Sequence, residues 1–135
     1  MKKVLTTAIA LLSFSAPAFA EGDADKGAKE FRKCKACHAI TAPDGTAILK
    51  GGKTGPNLYA VIGRAAGSED FKYSSIMTAA AEAGLFWDAD GFAAYLADPN
   101  GFLSEAAGES GRSKMTKQKV KNPADLVAYL ESVVQ

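Results

Sequence analysis

Residues 32–41 read RKCKACHAIT, and Cys34-Lys35-Ala36-Cys37-His38 within them hold both cysteines and the sole histidine of a 135-residue chain. Any reading of the fold must explain why two thiols and one imidazole stand together with neither type elsewhere. A structural disulfide between them would enclose only Lys35 and Ala36, and so short a loop constrains little of the unfolded chain. A thioredoxin-like dithiol belongs in an alternating strand and helix pattern that this sequence does not show. Zinc wants four ligands, so an acidic residue would have to complete the set. Covalent haem attachment is the remaining chemistry, and C-x-x-C-H is its pattern. Each thiol adds across one vinyl group of the porphyrin, and the adjacent histidine then sits beneath the iron. This reading uses all three residues and explains why they are contiguous.

The first twenty residues, MKKVLTTAIALLSFSAPAFA, combine a basic start at Lys2 and Lys3, an apolar run and the small-residue pattern Ala18-Phe19-Ala20. This reads as a secretory signal peptide cleaved after Ala20. The competing reading, a retained anchor, wants about 20 unbroken apolar residues, whereas this run is shorter and carries Thr and Ser. The expectation is therefore a leader over 1–20, one domain over 21–135, export, and no stable membrane insertion. Loss of Lys2 and Lys3 takes the 16 basic residues to 14 against 15 acidic ones. A nearly neutral chain lacks the basic excess that nucleic-acid binding demands, so no nucleic acid is expected as partner. A domain of about 115 residues leaves much of its surface in water, which leaves room for a cofactor in its middle.

With one histidine, a second imidazole ligand is impossible, and methionine sulfur is the common six-coordinate alternative. Two methionines lie beyond the leader. Met77 falls in the alanine-rich run FKYSSIMTAAAEAGLFW, where ordinary core packing is expected. Met115 is a lone apolar residue in GESGRSKMTKQKVKN, a polar stretch without periodicity, so it is the candidate ligand.

The pattern predicts an all-α shell. Asp23 caps a first helix whose Ala24, Gly27, Ala28 and Phe31 share a face, with Gly27 marking a close backbone approach. Asn122-Pro123 opens a last helix with a stripe of Leu126, Val127, Leu130 and Val134. These two are expected to pack together. Short helices are expected over Ser74–Ala83 and from Asp88 to Ala97, where Pro99 stops the run. Residues 41–57 read as loop, and 98–122 as a long irregular connection carrying Met115.

The chain resembles the bacterial class I c-type cytochromes, and within them the cytochrome c2-like periplasmic carriers. The resemblance is carried, in order, by GDADKGAKEFRKCKACH, GGKTGPNLYAVIGR, FKYS with Trp87 beyond it, AAYLADPNGFL, SKMT and NPADLVAYL. It implies a small fold of short helices and long loops around one haem c, attached through Cys34 and Cys37 and ligated by His38 and Met115. It further implies that the Pro56 carbonyl accepts a hydrogen bond from His38, that Arg64, Tyr73 and Trp87 surround a buried propionate, and that Tyr95 and Ser113 lie near the distal sulfur. Tyr73, Trp87 and Tyr95 also read as plain aromatic core, and Arg64 as a solvated surface charge. Two departures stand out. Lys117 follows Met115-Thr116 where relatives carry an aromatic or aliphatic residue, and GFLSEAAGESGRS is unusually polar.

The function so implied is not enzymatic. The protein is expected to be a monomeric periplasmic single-electron carrier, shuttling between membrane complexes such as a cytochrome bc complex and an oxidase or photosynthetic reaction centre. Docking at the haem edge through Lys33, Lys35, Lys53, Lys114 and Lys117 is expected. The alternative is a haem enzyme or sensor, a peroxidase or gas binder, in which methionine is absent from the iron.

Overall fold

The computed structural model describes residues 22–134; the expected leader lies outside the described residues. The element order is α1 (Ala24–Glu30), a 3-10 turn (Phe31–Lys33), β1 (Ile40–Thr41), β2 (Ala47–Leu49), α2 (Ser75–Glu82), α3 (Ala89–Ala97), α4 (Pro99–Ala107) and α5 (Pro123–Ser132).

Each helix starts where a short polar side chain can take up a free backbone N–H. Asp23 accepts from Lys26 N at 3.1 Å, and Asp88 from Gly91 N at 2.6 Å. Ser74 accepts from Met77 N at 3.3 Å, and Asn122 from Ala124 N at 3.3 Å with Pro123 in the first helical turn. Such a cap is worth roughly 1 kcal/mol per helix, which matters for helices this short.

α1 and α5 pack against each other as expected. Gly27 makes this possible, because a Cβ there would lie 1.9 Å from the Asp125 carbonyl oxygen and 2.7 Å from Tyr129 Cβ. Phe31 is fully buried, with its ring centroid 5.5 Å from that of Tyr129. Burying such a side chain contributes about 1.5–3 kcal/mol. A long-range tie closes the contact, since Asp23 N donates to the buried Asp125 carboxylate at 2.7 Å. Leu126, Val127 and Leu130 form the buried stripe of α5. Val134, expected to continue it, lies beyond the last helical residue and is 38% exposed.

Two other expectations change. Residues 41–57 are not all loop, because Ile40–Thr41 pairs antiparallel with Ala47–Leu49 as a two-stranded ribbon. The run 98–122 is not all irregular either, since Pro99–Ala107 is helical and ends at Gly108 with φ 70°. Pro99 starts this helix. Asp98 ends α3 and caps α4, its carboxylate accepting from Gly101 N at 3.1 Å, and proline is tolerated in a first turn because its missing N–H has no helical partner there. α4 then covers α2 and α3, with Ile76 and Leu103 among the most buried side chains. Only 108–122 remains an irregular strap. No described helix is long and apolar enough to cross a membrane.

Gly27→Ala tests the helix contact. A helical Gly→Ala change alone would gain about 1 kcal/mol, whereas forcing a methyl into a closed contact costs about 1–3 kcal/mol or more. The 1.9 Å approach is to backbone, which cannot swing aside. Urea unfolding is expected to show a net loss, and a gain would mean that α1 and α5 are not this close.

Candidate functional site

The turn after α1 builds one wall of the site. Cys34 N donates to Phe31 O at 2.9 Å and His38 N to Cys34 O at 2.9 Å, so one short coil presents both thiols and the imidazole. His38 is buried, Cys34 half-buried and Cys37 exposed. The segment KGGKTGPN lies directly against this coil. Gly52 N donates to Lys35 O at 2.9 Å and Gly55 N to Cys37 O at 2.8 Å. No side chain fits between them: a Cβ on Gly55 would lie 2.4 Å from His38 Cε1, and one on Gly51 would lie 1.9 Å from the His38 carbonyl oxygen. Asn57 pins the segment to β1, accepting from Thr41 N at 2.9 Å and donating to Thr41 O at 2.8 Å.

His38 Nδ1 lies 2.7 Å from the Pro56 carbonyl oxygen. A carbonyl only accepts, so Nδ1 carries the proton and Nε2 keeps its lone pair for a metal. Burial holds the imidazole below its ordinary pKa, with the Pro56 bond opposing in part. Burial also pushes up the Cys34 thiol, reinforced by the nearby Glu30 charge.

The strap contributes another part of the site. Ser113 is its hub: its hydroxyl accepts from Met115 N at 3.0 Å and shares a 3.1 Å hydrogen bond with Tyr95 Oη, while Ser113 N donates to Asn100 Oδ1 at 2.8 Å. Further along, Gln118 N donates to Leu96 O at 2.8 Å, and Lys114 Nζ donates to the Lys72 carbonyl. Lys33 Nζ spans from Glu30 at 3.0 Å to Lys119 O at 3.2 Å. Burial raises the Tyr95 phenol above its ordinary pKa, with the Ser113 bond opposing.

Coil and strap enclose a cleft of about 290 Å³, lined by Cys34, Cys37, His38, Pro56 and Met115 together. Arg64, Tyr73, Trp87 and Tyr95 line it as well. Every site residue singled out from sequence therefore meets at one cavity. Trp87 packs against Tyr95 with ring centroids 5.0 Å apart and stacks on Phe102 at 6.0 Å. Arg64 is not a solvated charge: it donates to Tyr59 O at 2.7 Å, Asn57 O at 2.9 Å and Glu69 Oε1 at 2.9 Å. Tyr73 Oη accepts from Glu69 N at 3.2 Å. Met77, expected only as core, is buried in α2 and lines the same cleft. Sequence reading missed the three roles of Asn57, Gly55 and Glu69. Asn57 and Gly55 lie in the quoted TGPN, but a contact across the fold leaves no periodic signal.

The donors fit a covalently bound haem: two thiols at the cleft, an imidazole with a free Nε2, and a thioether on the strap. They do not fit zinc, since among the described residues no three His, Cys, Asp or Glu side chains converge on a metal position. An all-α shell around such a cleft, with its attachment motif at the end of the first helix, defines a c-type cytochrome.

No protein-family model matches the chain. Cytochrome c2 of Rhodobacter capsulatus is 49% identical over 138 residues, covering 100% of both chains. Cytochrome c-551 of Roseobacter denitrificans is 48% identical over 134 residues, covering 98% of this chain and 96% of its own. The crystal structure of cytochrome c2 from Paracoccus denitrificans matches with a TM-score of 0.79 at 49% identity, covering 84% of this chain and 98% of its own. The chain belongs to the cytochrome c2 family of bacterial c-type cytochromes. It is an electron carrier rather than an enzyme, working with redox partners and holding one covalent haem c through Cys34 and Cys37.

Gly55→Ala is expected to displace the His38 ring, costing about 1–3 kcal/mol of stability and altering the haem absorption. Gly45→Ala is the control. It has open space and φ 86°, so it should cost about 1–2 kcal/mol through backbone strain and leave the spectrum unchanged. A wild-type spectrum in Gly55→Ala would refute the close contact.

Proposed function

We propose that His38 and Met115 are the two axial ligands of the haem iron, and that the protein shuttles single electrons in the periplasm between membrane complexes, such as a cytochrome bc complex and an oxidase or reaction centre. The observation that supports the ligand assignment is that His38, fixed by Pro56, and Met115, held on the strap by Ser113, line one cleft. Haem c supplies a ferric/ferrous couple that changes by one electron. The protein's part would be to hold the iron with two of its own side chains, His38 and Met115, which would leave no ligand position for a substrate or dioxygen. A thioether ligand favours ferrous iron, and the apolar walls disfavour the extra ferric charge, so both raise the potential. The Pro56 carbonyl fixes the imidazole and increases its basicity. Arg64, Tyr73 and Trp87 would meet a propionate on the cleft wall, and Tyr95 with Ser113 would steady the sulfur side.

Export follows from the leader pattern over 1–20, leaving 21–135 as a single monomeric cytochrome domain in the periplasm. Partners would dock transiently at the mouth of the cleft. Lys33, Lys35, Lys53, Lys114 and Lys117 are all exposed, and Lys33 and Lys114 line the cleft itself. Asp23, Asp25, Asp88 and Asp90 instead sit at the N-terminal ends of α1 and α3. A basic front and acidic back of this kind would steer the protein toward acidic partner surfaces despite its near-zero net charge.

Met115→Ala should abolish the ferric methionine-to-iron absorption, lower the potential and admit small external ligands. Met77→Ala should keep that absorption and cost about 2–5 kcal/mol of packing stability. An unchanged spectrum in Met115→Ala would show the ligand to be another residue.

Electron transfer to an acidic partner should slow as salt rises, because screening acts over about 10 Å at 0.1 M. Charge reversal at Lys35 or Lys53 should slow it more than reversal at Lys29 or Lys121. Equal effects at all four positions, or a rate indifferent to salt, would rule out docking at the cleft.

A further inference from the structure

Arg64 brings a permanent positive charge to the wall of the cleft, since guanidinium does not lose its proton in proteins. It has five N–H donors, of which Nη1 uses two, on Tyr59 O and Glu69 Oε1, and Nη2 uses one, on Asn57 O. The two carbonyls anchor the fork in place. Glu69 is different in kind, because it is the one partner of the three that carries charge. It does not line the cleft, yet it holds two residues that do: its carboxylate takes Arg64, and its backbone N–H donates to Tyr73 Oη at 3.2 Å. Neither member of the ion pair is freely solvated, the Arg64 side chain being 16% exposed and that of Glu69 30%.

We propose that Glu69 is a positioning residue that sets the charge Arg64 presents to the haem, and thereby holds the reduction potential of the carrier below the value that Arg64 alone would give. An isolated cation beside the cleft disfavours the extra positive charge of ferric iron and favours the ferrous form. Paired with a carboxylate at 2.9 Å, the same cation presents a dipole, whose field falls off faster than that of a single charge. Partial exposure of Glu69 weakens the effect by solvent screening without changing its sign. Nothing in this argument uses an activity of Glu69 itself; it acts through Arg64. It rests on the haem occupying this cleft.

The test is an equilibrium redox titration, at neutral pH and one fixed salt concentration, of the haem-loaded wild type and of Glu69→Gln, Glu69→Asp, Glu69→Ala and Asp70→Asn. Asp70→Asn is the control, since it removes the same charge one residue away from an exposed side chain. Glu69→Gln and Glu69→Ala should both shift the potential upward, and by more than Asp70→Asn. Glu69→Asp, which restores the charge, should return the potential toward wild type. A merely structural Glu69 would lower the unfolding midpoint and leave the potential in place, and that result overturns the proposal. So does an Asp70→Asn shift equal to that of Glu69→Gln, which would mean that net charge rather than the Arg64 pair is being read. An equal shift in Glu69→Asp and Glu69→Gln overturns it too. The ferric methionine absorption of the same samples is the separate check on ligation: its absence from the wild type would refute Met115 as ligand while leaving the Glu69 comparison to stand or fall on its own potentials.

Discussion

The 2.7 Å hydrogen bond between His38 Nδ1 and the Pro56 carbonyl is the contact around which the site is arranged. It demands that the backbone of 51–57 run within touching distance of the C-x-x-C-H coil, and that demand explains a stretch of sequence that otherwise reads as featureless. Gly51, Gly52 and Gly55 all stand where a methyl would collide with the coil or the imidazole. Asn57 then locks the segment to β1 from the other side. Within this arrangement Nδ1 is committed to the Pro56 carbonyl, which fixes the tautomer and leaves Nε2 as the free nitrogen.

The two sides of the cleft are built by different physics. The histidine side is local: Cys34, Cys37 and His38 share one turn, and α1 behind them is clamped to α5 by the Gly27 contact and the burial of Phe31. The strap is held by hydrogen bonds to residues far away in sequence, from Asn100, Tyr95, Leu96 and Lys33. Each is worth about 1 kcal/mol net, and the apolar contacts that add to them are few, Met115 and Val120 packing against the core and Gly111 lying close to Ile76.

That contrast decides what could be read from sequence. Helix starts were legible because a cap is a local event: Asp23, Ser74, Asp88 and Asn122 each bond within three residues of themselves. Gly27 was legible because a helix-disfavouring residue in a helical pattern needs a reason. Asp98-Pro99 has the same cap-and-proline grammar as Asn122-Pro123, but it follows directly on α3, so the proline reads equally well as a terminator and α4 was not seen. Val134 fits the apolar period of α5 and yet falls past its end, because periodicity does not mark where backbone hydrogen bonding stops. The site residues and the His38–Pro56 bond were found by motif and resemblance, whereas the other ties were not. Asn57 with Thr41 and Arg64 with Tyr59 and Glu69 are pairings of folded geometry, and nothing in either partner's neighbourhood announces the other.

The polar run 101–113, a departure when read as sequence, ends α4 and opens a strap whose own polarity fits how it is held. Ser113, Lys114 and Gln118 supply the hydroxyl, ammonium and backbone donors that fasten it, so a more apolar strap would need a different set of anchors. Lys117 is exposed between Thr116 and Gln118, which both line the cleft, so its charge stands at the mouth without entering the apolar interior. A segment tied mainly by dispersed polar contacts, with Met115 and Val120 as its apolar footholds, opens at lower free energy than one wholly packed into a core. Of the two proposed ligands, the methionine therefore stands on the less firmly held segment. His38 sits on the coil that carries both cysteines and is closed in by Gly51 and Gly55, while Met115 depends on the Ser113 hub and a few apolar contacts.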